Sequence, residues 1–291
     1  MGTRNQQTEY ESADGLKLIA DAFGDPGDMP VLLLHGGGQT RHAWAGTGIA
    51  LAEAGYYAVS LDLRGHGDSD WCPRGDYEHP TFAADTAAVA ATFDRPPVLV
   101  GASLGGISSL FAFGEASAQG QPPPASALVL VDIATRMQVD GARRIMAFMN
   151  SHPEGFESLD EAADAIARYN PHRPRPKDSS GLAKNLRLRE DGRYRWHWDP
   201  AFIADRLSPS AINLLDRLDD AARGLTVPTL LVRGRMSDLL SEEDAHHFLG
   251  LVPHAEFVDV SGAGHMVAGD RNDHFSRGVM DFLAQNVPSD S

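Results

Sequence analysis

Eight short apolar runs, separated by turn residues and by stretches of helical spacing, organise both ends of this chain. Residues 8–13 and 16–23 flank Asp14-Gly15, which predicts a β-hairpin. Residues 31–34 form an apolar run that enters His35-Gly36-Gly37-Gly38. Residues 57–63 form another and enter Arg64-Gly65-His66-Gly67-Asp68-Ser69. Further strands are predicted at 98–100, 127–131, 229–232 and 256–260. Between them, residues 42–54, 81–93, 107–115, 242–251 and 272–286 carry helix-compatible patterns. Strands alternating with helices imply right-handed crossovers, hence a mostly parallel sheet with helices on both faces.

The pattern changes between residues 133 and 225. Apolar side chains fall at helical spacing in Ile145, Met146, Phe148 and Met149, residues 170–177 are rich in proline and basic side chains, and Tyr194-Arg195-Trp196-His197-Trp198 is aromatic. A stretch this long is not a plain loop in a compact domain. It predicts a helical and irregular cap over the C-terminal edge of the sheet, with residues 1–132 and 226–291 as the core.

Composition narrows the class. With 22% charged and 42% hydrophobic residues, the 291-residue chain reads as an ordinary soluble protein. A net charge of −15 offers no footprint for nucleic acid and disfavours anionic membrane surfaces. The single cysteine, Cys72, excludes an intramolecular disulfide and fits a reducing, cytoplasmic compartment. The N-terminus is polar, and no apolar run approaches the ~18 residues of a membrane span.

The chemistry centres on Ser103. Val98-Leu99-Val100 runs into Gly101-Ala102-Ser103-Leu104-Gly105-Gly106 and then into a helix. Strand, sharp turn and helix in that order expose a serine hydroxyl at a strand end. Gly101 and Gly105 let strand and helix approach closely. A serine nucleophile needs a base, and the base needs an orienting acid. His265, in the glycine-loosened loop after 256–260, is the expected base. Asp238, in the loop after 229–232, is the expected acid. Asp132, ending 127–131, satisfies the same chain order and is the alternative. Two backbone N–H donors are expected to hold an oxyanion, Leu104 at the helix start and Gly37 in the glycine loop, with Gly38 as the alternative to Gly37. No H-E-x-x-H, complete dinucleotide-binding or P-loop fingerprint occurs, so neither metal nor cofactor is expected.

These motifs, with Gly234 to Asp238 and Gly264-His265, make the chain resemble the α/β-hydrolase superfamily over nearly its full length, closest in pattern to capped bacterial esterases and haloperoxidase-like hydrolases. The resemblance implies an α/β-hydrolase fold: a mostly parallel eight-stranded sheet flanked by helices, with a helical cap insertion. It makes the Arg-Gly-His-Gly segment structural and His66 non-catalytic. Epoxide hydrolases and haloalkane dehalogenases of the superfamily use an aspartate nucleophile, which Ser103 replaces here. The activity implied is acyl transfer from a small-molecule carboxylic ester. C–C bond hydrolysis, lactone hydrolysis and perhydrolysis use the same triad, and a ligand receptor uses the same fold. Trp44, Met137, Phe148, Trp196, Trp198 and Met266 are the expected pocket residues. The expected partner is the small-molecule substrate, with a homodimer left open.

Overall fold

Asp14 and Gly15 turn the chain back on itself, Gly15 at φ 88°. β1 (Gln6–Glu11) and β2 (Lys17–Phe23) therefore pair antiparallel, Glu11 opposite Lys17. The computed structural model describes residues 5–170, 175, 177–204, 212–261, 264 and 272–289, without the side chains of 212–216 and 272–274. Strand–helix units follow: β3 (Met29–Leu34), α1 (Ala45–Glu53), β4 (Tyr56–Leu61), α2 (His79–Ala90), β5 (Val98–Ala102), α3 (Leu104–Ala118) and β6 (Ala127–Val131). The insertion adds α4 (Val139–Met149), α5 (Leu159–Tyr169), a small hairpin of β7 (Leu186–Leu188) and β8 (Tyr194–Trp196), and the single turn α6 (Ala201–Ala204). The chain then runs through α7 (Ile212–Arg223), β9 (Thr229–Gly234), α8 (Glu242–Leu251), β10 (Glu256–Val260) and α9 (Asn272–Asn286).

The eight-stranded sheet has the order β1-β2-β4-β3-β5-β6-β9-β10. β2 meets β4 antiparallel, and every pair from β4 to β10 is parallel. Parallel strands covered on both faces need apolar side chains on both, which explains their unbroken Val and Leu runs. Leu32, Leu34, Leu99, Leu128 and Leu130 face the side of α2 and α3. Val31, Leu33, Val98, Val100 and Val129 face the opposite side, with Leu51, Phe275, Val279 and Phe282.

Register brings the site together. Leu34 lies opposite Gly101, Ala102 opposite Val131, and Val131 opposite Val232. His35, Ser103 and Asp132 therefore leave the sheet side by side at its C-terminal edge.

The inserted region differs from expectation in two respects. It contains the β7–β8 hairpin as well as helices, because Leu186 and Trp196 pair across it and close a small separate core with Phe156, Ala162 and Ala165. Its last helix, α7, packs along α3 and covers the sheet: a Cβ on Gly114 would lie 2.7 Å from that of Ala221. An amphipathic pattern has the same period in a cap helix as in a crossover helix, so residues 133–225 could not be divided by periodicity.

Candidate active site

Ser103 occupies a sharp strand-to-helix turn. Its backbone has φ 45° and ψ −110°, a conformation that costs on the order of 1–3 kcal/mol for a residue with a side chain. Surrounding packing enforces it. A Cβ on Gly101 would lie 2.5 Å from the carbonyl of Gly105, and one on Gly105 would lie 2.4 Å from the Leu34 oxygen. The two glycines are thus required by close backbone approach, as the sequence predicts. The Ser103 N–H donates to the Val131 carbonyl at 3.3 Å, tying the turn to the end of β6.

The glycine loop after β3 is fixed one peptide at a time. The Gly36 N–H donates to Gln39 Oε1 at 2.9 Å, and Gln39 N–H returns a bond to the Gly36 oxygen at 3.0 Å. His35 Nδ1 donates to that same oxygen at 2.8 Å while its Nε2 accepts from Leu63 N–H at 3.1 Å. The Gly38 N–H donates to His66 Nε2 at 3.1 Å, and His66 Nδ1 donates to the Arg64 carbonyl at 2.9 Å. His66 is fully buried in this structural role. Gly105 N–H donates to the His35 carbonyl at 3.1 Å. Among the described residues, the Gly37 and Leu104 N–H groups take no partner. They are the two donors named from the sequence, and a Cβ on Gly37 would lie 4.0 Å from the Leu104 side chain.

The two candidate acids sit in opposite environments. Asp132 is fully buried at φ 51°, and its carboxylate accepts from Gly234 N–H at 2.8 Å and from Ser237 Oγ at 2.5 Å. The Asp238 side chain is 41% exposed and pairs with Arg144 of α4 at 2.7 Å. A Cβ on Gly141 would lie 2.1 Å from the Asp238 carbonyl, so α4 rests directly on this loop. Asp238, the acid expected from the sequence, is thus also a contact between the β9 loop and the inserted region. His265 and Met266 lie outside the described residues.

A wall of aromatic and sulfur-bearing side chains stands beside the glycine loop. Trp198 is buried and reaches the glycine loop; a Cβ on Gly38 would lie 3.3 Å from its ring and 2.8 Å from Met149 Cε. Trp196 stacks on Trp198 with centroids 4.8 Å apart, and Phe148 stands edge-on behind Trp196 while stacking on Tyr169. Met137 packs half-buried against the main core. Trp44 does not belong to this wall. The 3-10 turn Arg41–Trp44 tucks its indole into the core on the α1 and α9 side, 5.7 Å from Phe275.

Sequence reasoning missed Met149, Phe202 and His197. Phe202 packs 3.4 Å from where a Gly37 Cβ would be and stands edge-on to His66. His197 accepts from Gly67 N–H at Nδ1 (2.7 Å) and donates from Nε2 to the Gly38 carbonyl at 3.2 Å. Burial, reinforced by the neighbouring His35, pushes its pKa down to about 3. Burial also lowers that of His35. Both rings are neutral at physiological pH. The one available signal was a histidine set between two tryptophans.

Among the described residues, no group of three or more His, Cys, Asp or Glu side chains is arranged to hold a metal ion, and no helix is long and apolar enough to cross a membrane. The sequence profile described as alpha/beta hydrolase fold matches residues 29–271. An esterase of Mycobacterium tuberculosis is 30% identical over 96% of this chain and 92% of its own length. A 2-(acetamidomethylene)succinate hydrolase of Mesorhizobium japonicum is 28% identical over 73% of each chain. The crystal structure of an E-2-(acetamidomethylene)succinate hydrolase superposes with a TM-score of 0.82 over 96% of this chain and 99% of that one, at 24% identity.

Proposed function

Since the chain belongs to the alpha/beta hydrolase fold family, and is a hydrolase by its kinship with esterases and other hydrolases, we propose that it cleaves a small-molecule carboxylic ester with Ser103 as nucleophile. The observation that carries this reading is the strained Ser103 turn flanked by two N–H groups, of Gly37 and Leu104, that take no partner among the described residues. Backbone donors left unpaired beside a half-buried serine suit charge that develops on a substrate oxygen.

In this mechanism the Ser103 hydroxyl gives its proton to His265 as its oxygen bonds to the ester carbonyl carbon. Gly37 and Leu104 N–H groups receive the resulting oxyanion. Collapse breaks the bond to the leaving alcohol, which takes the proton from His265. Water then attacks the acyl-Ser103 ester through the same base, releasing the acid and restoring the serine. His265 enters by its place in the chain order. For the acid the environment favours Asp132 over Asp238. A carboxylate that fixes an imidazole works best buried, already hydrogen-bonded and unable to swing away. Asp132 meets those conditions, whereas Asp238 is half in solvent and held by an arginine. Trp198, Met149 and Phe202 supply an apolar wall beside the glycine loop, which suits an uncharged acyl or alcohol group.

The test is turnover of p-nitrophenyl esters of rising chain length, alongside lactones and (acetamidomethylene)succinate, with organophosphonate labelling of the protein. Ester turnover together with a label on Ser103 supports the reading. A protein that labels elsewhere, or turns over no member of the panel, overturns it.

A further inference from the structure

The Gly36-Gly37-Gly38 loop has almost no side chains of its own to hold it, and Gly38 sits at φ 75°. Its shape therefore depends on what grips its peptide groups. Three imidazoles do so in succession. His35 holds the Gly36 oxygen, which belongs to the same peptide as the Gly37 N–H. His66 holds the Gly38 N–H, in the next peptide. His197 holds the Gly38 oxygen, in the one after. In each ring the second nitrogen is also engaged, by Leu63 N–H, the Arg64 carbonyl and Gly67 N–H respectively, so each tautomer is determined.

The first two histidines come from the core. The third comes from the inserted region, and its neighbours dock that segment firmly. Asp199 N–H donates to the Gly65 carbonyl at 2.9 Å, and the Tyr77 hydroxyl donates to the Asp199 carboxylate at 2.5 Å. Arg187 donates to the Gly67 carbonyl at 2.9 Å and to Asp68 at 2.7 Å. The ring is thus delivered to the glycine loop by a docked strand end.

We propose that His197 is a positioning residue for hydrolysis: a clamp, borne by the inserted region, that holds the Gly38 carbonyl and so keeps the Gly37 N–H aimed at the oxyanion. This rests on the esterase reading above. Without the clamp, the peptide after Gly38 loses its hold on the carbonyl side and keeps the Gln39 N–H bond to the Gly36 oxygen, so the glycine loop regains part of the freedom that glycine allows. Ground-state binding against Trp198 and Met149 does not depend on that peptide. The loss should fall on kcat.

Two substitutions separate the two ring nitrogens. Asparagine can reproduce the Nδ1 acceptor toward Gly67 but not the donor toward Gly38. Glutamine places an N–H donor near the Nε2 position. His197→Asn is expected to lower kcat about 10- to 100-fold, the scale of a misplaced catalytic group, with KM within about twofold. His197→Gln is expected to recover most of that loss. Inhibition by a trifluoromethyl ketone, which forms the oxyanion, should weaken in parallel with kcat/KM, while inhibition by the product acid should not change. Deuterium uptake in a peptide covering residues 35–40 should rise in the asparagine variant and not in the glutamine variant. Equal kcat in both variants and wild type, or an effect confined to KM, overturns the proposal. If wild type neither turns over esters nor labels at Ser103, the esterase reading falls, and deuterium uptake alone decides whether His197 holds the loop. Should His197→Asn fail to fold, 15N spectra of the wild-type imidazoles decide. A proton on Nε2 of His197 supports the clamp, and a proton on Nδ1 overturns it.

Discussion

Two loops leave neighbouring strands at the same sheet edge, and each carries an aspartate that chain order alone would accept as the partner of the proposed base, His265. After β6, Asp132 is sealed from solvent and gripped by groups from the neighbouring loop. After β9, Asp238 stands at the surface and reaches out to Arg144 of the inserted region. One loop is set by the buried interior; the other meets α4 of the inserted region. Position in the sequence cannot separate a carboxylate that orients from one that docks. Burial and bonding partners are the grounds on which Asp132 is proposed as the acid.

The largest test fixes the scale for this contrast. Ser103→Ala should reduce ester turnover by about 10⁶ and abolish phosphonate labelling, as loss of a triad nucleophile does. Against that scale, Asp132→Asn should cost about 10⁴ in kcat, because an amide leaves the imidazole in the wrong tautomer. Asp238→Asn should stay within about threefold, as expected for an exposed pair. Steady-state kinetics on folded protein check both variants, and the reverse ranking would move the acid to the β9 loop.

The aromatic side chains of the inserted region offer a second contrast with the core. Trp198→Ala should shift relative kcat/KM between short and bulky esters by about tenfold, given the apolar area it presents, at about 25 cal/mol per Å². Phe148→Ala should shift it less, since Trp196 stands between it and Trp198. Thermal unfolding run in parallel separates a changed pocket from a loosened inserted region.

Acid should act on the link between His197 of the inserted region and the glycine loop. Folding holds His197 at about 3 against 6.5 unfolded, so the unfolded chain binds the extra proton between those values. The stabilising contribution of neutral His197 is complete above pH 6.5 and is lost as pH falls toward 3. His35 is shifted in the same direction by burial and adds to the loss. Urea unfolding at pH 7, 6, 5 and 4 should show His197→Gln flattening the slope by about 1.4 kcal/mol per pH unit within that window. The smallest effect belongs to the docking pair: Arg144→Gln should destabilise by about 0.2–1 kcal/mol, less in high salt. A larger, salt-independent loss would give this contact a weight that its exposure argues against.

What the sequence disclosed follows the same division. Gly101 and Gly105 were legible because close backbone approach permits only one residue type there, and Gly38 takes the positive φ that favours glycine. Ser103 and Leu104 stand between Gly101 and Gly105 in one local strand–turn–helix motif. The strands were legible because burial on both faces demands unbroken apolar runs. The environment of Asp132 was not, since Gly234 and Ser237 are far away in sequence. Nor was the division of the inserted region, whose hairpin and last helix are decided by the surfaces they meet. His197 read as one polar residue in an aromatic segment, and Trp44, expected to line the pocket, is buried in the core.

The backbone of Ser103 has a consequence for how such a chain would change over generations. At φ 45° the position suits glycine better than any residue with a side chain. Glycine there would relieve strain, by on the order of 1–3 kcal/mol, without leaving a cavity. A lineage kept only for its ability to fold would be expected to lose this serine early. Its descendants would be sturdier and inert, with the neighbouring glycines retained because packing still requires them. The hydroxyl at 103 is thus a residue that stability alone would discard, and Gly101 and Gly105 are residues that stability would keep.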